Sequence, residues 1–281
     1  MERISRSFDV MILSYRILLR DKELIVLPLV SMTVTVVTIL TFAFGFGVTR
    51  SELRAGGPEM YVPLFLLYVV IYTVGIFSQS AVVAGATERM RGGDPTLRSA
   101  LAAAGRRIGP IIGWAIFAAT IGTIIRAIQD RAGIFGKVVA FIGGAAWSLA
   151  TFFIVPVLLF EGKSIRDSLR RSTTLFKDVW GETLAGGVTL GLANLCITVP
   201  LVVIAVLIGV TIGKAAGIGV FIAGMIALTI LFATLQGIYL ATLYRYATEG
   251  WVPAGFDGDL LRQAFVSKDG TDHVTLNLNQ R

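Results

Sequence analysis

The sequence predicts an all-α membrane protein with six transmembrane helices. Its 281 residues are 55% hydrophobic and only 15% charged, whereas soluble domains carry about 25% charged residues. The charges are clustered, and six long uncharged runs lie between the clusters. Because a helix needs roughly 20 apolar residues to cross a bilayer, we predict one span in each run.

The chain divides into three predicted parts: an N-terminal amphipathic helix, a membrane domain and a cytoplasmic tail. They cover residues 1–23, 24–244 and 245–281. The predicted spans are residues 24–48, 60–87, 108–125, 138–160, 183–213 and 215–244. The third span is the shortest, and Arg107 and Arg126 at its ends can extend their charged groups towards water.

The distribution of positive charge predicts the orientation. Most of the 25 lysines and arginines lie before the first span, after the second and fourth spans, and in the tail. The positive-inside rule places these segments, and therefore both termini, in the cytoplasm. We interpret the net charge of +7 as a consequence of this orientation, and it also suits an anionic inner leaflet. We therefore expect no nucleic-acid partner. The first apolar run is too long for a cleavable signal peptide, so none is expected.

A helix with two unlike faces is predicted between the fourth and fifth spans, at residues 164–182. Its apolar residues Ile165, Leu169, Phe176 and Val179, joined by the small Ser172, recur at spacings of three and four. This spacing places them on one side of a helix. We expect the helix to lie in the membrane plane, resting on lipid or packing across the bundle. A solvated loop helix and a rigid extension of the fifth span are the alternatives.

Two of these surface helices have predicted start signals. Ser164 and Asp167 form an S-x-x-D capping pattern. Asp94 followed by Pro95 predicts the start of the helix before the third span. The predicted architecture is therefore three helical hairpins, each preceded by a cytoplasmic, amphipathic, in-plane helix.

An internal duplication is also predicted. One constant shift along the chain places Leu18–Asp21 on Leu175–Asp178 and Gln79 on Gln236. The same shift brings the first two spans onto the last two. We interpret this as a parallel repeat, because units of two spans keep the same orientation in the membrane.

The residues predict no catalytic, metal or cofactor site. No Asp, Glu, Lys, Arg or His lies inside the spans, which argues against an ion-coupled pump or a voltage sensor. The only cysteine is Cys196 and the only histidine is His273, so neither an intrachain disulfide nor a His/Cys metal site is expected. No nucleophile elbow or phosphate-binding loop is present. The chain is therefore predicted not to be an enzyme.

The polar side chains within the spans are candidates for intramembrane contacts. They include the amides Gln79, Asn194 and Gln236. Such amides usually form hydrogen bonds between helices, and we favour that role over contact with a substrate. Pro200 lies deepest among the prolines of the first five spans and is expected to kink the fifth span.

The basic and aromatic residues of the cytoplasmic helices are candidates for contact with lipid or a partner. Positive side chains beside the inner leaflet attract anionic phospholipid head groups, and tryptophan favours the interface. The candidates are Arg98, Arg106, Arg107, Arg166, Arg170, Arg171, Lys177 and Trp180.

The run "SYRILLRDKELIVLP" (Ser14–Pro28) resembles the opening of a family of uncharacterised prokaryotic integral membrane proteins. That opening reads S-[WY]-x-[VI]-L-x-x-D-K-E-L, followed by a proline inside the first span. The segment Glu161–Ser172 also resembles a cytoplasmic segment of such proteins. The resemblance implies a six-helix protein of a bacterial or archaeal cytoplasmic membrane, and no reaction comes with it.

Two functional hypotheses follow. The first is a non-enzymatic membrane scaffold, whose surface helices and tail bind lipid head groups or a membrane or cytoplasmic protein. The alternative is a carrier or channel for an apolar or lipid-like solute, based on the duplication, the matched glutamines and Pro200. The residues do not specify an oligomeric state.

Overall fold

The computed structural model describes residues 14, 15, 17–19, 21–45, 61–131, 133–178 and 180–249. Side chains are described for these residues except 61, 126–140 and 180–190. About 91% of the described residues are helical, and none of them lies in a β-strand. Most of the predicted N-terminal helix and almost all of the predicted tail lie outside the described residues.

From Tyr61 onwards the helices follow one another with short connections. After a 3-10 turn at Lys22–Ile25, the described helices are α1 (Val26–Gly45), α2 (Tyr61–Met90), α3 (Leu97–Gly105), α4 (Ile108–Arg131), α5 (Gly133–Ala150), α6 (Ile154–Phe160), α7 (Ile165–Asp178), α8 (Trp180–Thr211) and α9 (Lys214–Glu249).

Six segments of the described chain are long and apolar enough to cross a membrane. They are Lys22–Gly45, Val62–Met90, Ile108–Ile125, Phe141–Phe160, Gly191–Thr211 and Lys214–Glu249. Each falls on one of the predicted spans. Large apolar side chains stay exposed along α1 and α8, as expected of helices that face lipid rather than water. The chain is a multi-pass membrane protein.

The fourth span is interrupted, which the sequence analysis did not predict. Residues Thr151–Phe153 form a turn between α5 and α6. The cause is Pro156, which has no N–H to donate to the carbonyl of Phe152 and whose ring crowds that carbonyl. In contrast, α8 runs without interruption through Pro200.

The buried core lies at one end of the bundle, where α2, α4, α6 and α9 meet. Its fully buried side chains include Val82, Phe153, Leu158 and Ile238. Helix α2 packs against α1, α4 and α9, while α8 packs mainly against α9. Helix α7 packs across α5 and α6 and also contacts α4, α8 and α9. Its side chains Ser168, Ser172, Leu175 and Phe176 are buried there.

Of the two predicted helix starts, the structure has the one at Ser164 and moves the other to Thr96. For α7 the prediction is confirmed, because the backbone N–H of Asp167 donates to Ser164 Oγ at 3.2 Å. For α3 the predicted start at Asp94 and Pro95 is wrong. There Thr96 is the N-cap, and it forms a reciprocal capping box with Ser99. The Asp94 carboxylate accepts a hydrogen bond from Arg89 instead.

Candidate functional site

A cavity of about 330 Å³ lies among α2, α4, α9 and the interruption between α5 and α6. This volume is at the lower end of the range typical of small-molecule pockets. The polar side chains that line it belong to Tyr72, Gln79, Trp114, Trp147, Ser148, Thr151 and Gln236. The remaining lining residues are apolar.

The cavity lies deep within the spans. At the α-helical rise, Gln79 is about 14 Å from Glu88 and Gln236 is about 14 Å from Arg245, the nearest charged residue in each helix. Trp114 is about 9 Å from the start of α4. Since the hydrocarbon core of a bilayer is about 30 Å thick, these side chains lie at hydrocarbon depth.

The structure brings together two of the three predicted intramembrane amides. Gln79 and Gln236 line the same cavity, and in the described part of the chain neither side chain forms a hydrogen bond. Asn194 lies elsewhere, on α8, where its Oδ1 accepts a hydrogen bond from Thr198 Oγ1 at 3.1 Å. Only Asn194 therefore has a protein partner within the described residues.

An aromatic cluster forms one wall of the cavity. The indole rings of Trp114 and Trp147 are parallel within 2°, with centroids 5.7 Å apart. Phe117 packs at a tilt against both rings, at 5.5 and 6.0 Å. Aromatic rings in such offset arrangements attract each other beyond their area of contact. The cluster holds α4 against α5 beside the two glutamines.

Ser172 supports the interruption that forms another wall of the cavity. The N–H of Phe153, in the interruption, donates to Ser172 Oγ of α7 at 3.0 Å. The neighbouring N–H of Phe152 bonds to the carbonyl of Leu149, only three residues back. A backbone N–H freed from a membrane helix requires such a partner. The small residue predicted for the apolar face of α7 therefore has a specific hydrogen-bonding role.

We predict that Ser172→Ala lowers the free energy of unfolding by about 1–3 kcal/mol, because it leaves the buried N–H of Phe153 without an acceptor. Thermal unfolding in detergent measures the change. The matched control is Ser168→Ala, one turn away and equally buried. The Ser168 hydroxyl donates only to the nearby carbonyl of Lys163, at 3.4 Å. Equal losses in the two variants would contradict a special role for Ser172.

Residues 59–255 match the model of a family described as "Family of unknown function (DUF6159)". The chain belongs to this family. The DUF6159 region contains the whole cavity and every described helix from α2 to α9. The run Ser14–Pro28, which carries the resemblance noted above, lies outside it. No curated protein matches the chain.

Within the DUF6159 region, Glu161 connects three helices: α6, α7 and α9. It follows α6, and its Oε1 accepts hydrogen bonds from Arg171 Nε of α7 and from the Tyr244 hydroxyl of α9, each at 3.1 Å. Lys163 Nζ lies 2.5 Å from its Oε2. Burial alone raises the pKa of the Glu161 carboxyl, but the hydrogen bonds from Lys163, Arg171 and Tyr244 outweigh burial and lower it.

This lowered pKa predicts how stability depends on pH. The Glu161 carboxylate stabilises the fold fully above 4.5, its ordinary pKa, and its contribution is lost as the pH falls through the lowered value. We therefore expect Glu161→Gln to be less stable than the natural protein at about pH 7, with a difference that shrinks towards about pH 3. Thermal unfolding across this range tests it. The exposed Asp178→Asn is the control, and the same pH profile in both variants would contradict the prediction.

The predicted lipid-contact residues fall into two groups. Arg107 and Arg171 are used inside the protein: Arg107 Nε donates to the Leu159 carbonyl at 3.0 Å, and Arg171 binds Glu161. The other described candidates are exposed and form no ion pair within the described part of the chain: Arg98, Arg106, Arg166, Arg170 and Lys177. Trp180 begins α8, but its side chain lies outside the described residues.

Sequence reasoning missed the residues that organise the two ends of the cavity. The Trp114–Trp147 pair and the Phe153–Ser172 hydrogen bond join segments far apart in the chain, and no local motif marks them. The pairing of Asp21 with Arg89 was also missed. The only signal in the sequence that could have marked Asp21 was its place in the run Ser14–Pro28, which carries the family resemblance.

Proposed function

We propose that the chain is a non-enzymatic carrier that binds a lipid-like solute in the cavity between α2, α4, α9 and the α5–α6 interruption. One observation carries the proposal: Gln79 and Gln236 line a cavity at hydrocarbon depth, without a hydrogen-bond partner in the described part of the chain. This arrangement favours a carrier for an apolar or lipid-like solute. It does not favour the role first expected for the two amides, which was hydrogen bonding between helices.

An amide in an apolar environment needs a hydrogen-bond partner. Leaving one without a hydrogen bond costs about 1–3 kcal/mol by mutational measures. Two such amides facing one space supply donors and acceptors for a ligand or for water. The interruption at Thr151–Phe153 adds support, since non-helical backbone at this depth is tolerated where it is buried in protein or lines a cavity. Broken helices also form the solute sites of many carriers.

Identification of what co-purifies with the protein in mild detergent tests this proposal. Native mass spectrometry of the natural protein is expected to show a bound small amphiphile, and the double variant Gln79→Leu/Gln236→Leu is expected to lose it. Asn194→Leu is the matched control, because it removes an amide that already has a partner on α8. If the double variant kept the amphiphile, or if Asn194→Leu lost it equally, the glutamines would not form the site.

We further propose that both termini face the cytoplasm of a prokaryote and that α3 and α7 lie in the plane of its cytoplasmic membrane. The charge distribution supports this orientation. The packing of α1 with α2, α4 with α5 and α8 with α9 supports three hairpins. Helix α7 buries one side against the bundle, which favours packing across its floor over a solvated loop helix.

Contact with anionic head groups, as in the scaffold hypothesis, is a second proposed function. The observation that favours it is the exposure of Arg98, Arg106, Arg166 and Arg170 without ion pairs in the described part of the chain. Reversing Arg166 and Arg170 to Glu should reduce the phosphatidylglycerol retained in native mass spectra, relative to phosphatidylcholine. Lys214→Glu, at the opposite end of the bundle, is the control. Equal retention in both variants would contradict head-group binding by these arginines.

A further inference from the structure

One side of the cavity is not closed by helix packing. Helix α2 lies behind the cavity and packs against both α4 and α9, while α5 packs against α4 and α7. In the described structure α5 and α9 do not pack along each other. Yet both contribute lining residues, Ser148 from α5 and Gln236 from α9, and both of these side chains are exposed. The cavity therefore opens between α5 and α9.

The depth of this opening decides what lies outside it. Gln236 is about 14 Å from Arg245, the nearest charged residue of α9, which places it within the hydrocarbon core. Neighbouring surfaces of the bundle at similar depth expose large apolar side chains, among them Leu149 of α5, next to Ser148, and Ile112 and Ile116 of α4, on either side of Trp114. Such surfaces contact acyl chains, so the opening faces lipid.

The residues that line the cavity determine which charge the head group of a bound ligand can carry. No described lining residue carries a charge at neutral pH. An ionised head group here would be desolvated without a counter-ion, which is far more costly than burying a hydroxyl or an amide. The carboxamides of Gln79 and Gln236 each offer both donors and acceptors. The hydroxyls of Ser148 and Thr151 donate to their own helix, at 2.9 and 2.8 Å, and retain capacity to accept.

From these observations we infer that the ligand is a neutral lipid with a hydroxyl- or amide-bearing head. It reaches the cavity sideways from the bilayer, through the opening between α5 and α9. The head binds Gln79 and Gln236, and the indoles of Trp114 and Trp147 contact the adjoining carbons. The chain of the lipid extends through the opening into the membrane. This inference rests on the proposed function and adds to it the class of ligand and the direction of access.

The two cavity tryptophans provide the test. The chain has four tryptophans, so the double variant Trp180→Phe/Trp251→Phe leaves Trp114 and Trp147 as its only tryptophans, which are excited selectively over tyrosine. This protein is reconstituted into vesicles of phosphatidylcholine with bromine atoms midway along the acyl chains. We expect loss of fluorescence relative to unbrominated vesicles and little loss on addition of aqueous iodide. Diacylglycerol in the bilayer should restore the fluorescence, whereas the same mole fraction of anionic phosphatidylglycerol should not.

The outcomes separate this inference from the proposal on which it rests. Quenching by iodide but not by brominated lipid would place the opening towards water and overturn lateral access. Restoration by phosphatidylglycerol as strong as that by diacylglycerol would overturn the neutral head group. In either case a bound amphiphile in native mass spectra would leave the proposed function standing. When Gln79→Leu and Gln236→Leu are added to this variant, diacylglycerol should no longer restore the tryptophan fluorescence. If it still did, the head group would not bind the two glutamines.

Discussion

Asp21→Asn is expected to lower the free energy of unfolding by about 1–3 kcal/mol, because it removes the charge from a buried carboxylate that accepts two charge-assisted hydrogen bonds. Asp21 is only 5% exposed, and both of its carboxylate oxygens accept hydrogen bonds from the guanidinium of Arg89. The pair joins the chain before α1 to the end of α2. The loss of one charge therefore weakens the attachment of the first span to the bundle.

Asp94→Asn provides a matched comparison, since Asp94 also pairs with Arg89 but its side chain is 89% exposed. Exposed pairs contribute less than about 1 kcal/mol, so this variant should unfold almost like the natural protein. Thermal or denaturant unfolding in the same detergent measures both. Equal losses would show that burial of Asp21 does not determine the strength of the pair.

Gly217→Leu is the second change for which we expect a large effect. A Cβ atom on Gly217 would lie 2.6 Å from the carbonyl oxygen of Ala205 and 2.6 Å from Gly209 Cα. Both neighbours are backbone atoms of α8, so they cannot rotate away as a side chain could. Relief requires α8 and α9 to separate, and overpacking of this kind costs about 1–3 kcal/mol or more. We expect a loss at the upper end of this range.

Gly219→Leu is the control, because nothing lies within 4 Å of a Cβ at Gly219. Both substitutions remove a glycine from the same helix, which by itself favours helix formation by up to about 1 kcal/mol. Gly219→Leu should therefore be neutral or slightly stabilising, while Gly217→Leu is strongly destabilising. Spin labels on α8 and α9 should report a wider separation in Gly217→Leu alone. Unchanged separation and stability would mean that the close contact does not hold the two helices together.

The spans could be predicted because they depend on local composition. Charge-free runs of sufficient length fix six crossings whatever the tertiary packing, and the Ser164–Asp167 cap is set by a four-residue pattern. The interruption could not be predicted in the same way. Pro156 and Pro200 each lie within a predicted span, yet only the helix at Pro156 is broken. The difference is that Ser172 of another helix accepts the freed N–H at that point.

The site was predictable only in part, because most of its contacts join helices that are far apart in the chain. The repeat matched Gln79 with Gln236, and both line one cavity. The repeat could not show that the amides face a cavity rather than each other, because that depends on how α2, α4 and α9 are spaced. Likewise Arg107 and Arg171 resemble Arg106 and Arg170 in sequence. Only the positions of Leu159 and Glu161 assign the first two to the interior.

Photo-crosslinking tests the central claim, that the cavity binds a lipid-like solute, most directly. A diacylglycerol analogue with a diazirine beside its hydroxyl head is incorporated into vesicles that contain the protein. The vesicles are irradiated, and the crosslinked residues are identified by peptide mass spectrometry. Crosslinks are predicted at cavity residues of α2, α5 and α9, with loss on addition of unlabelled diacylglycerol. Crosslinks spread over the exposed faces of α1 and α8, and unaffected by that competitor, would contradict the account.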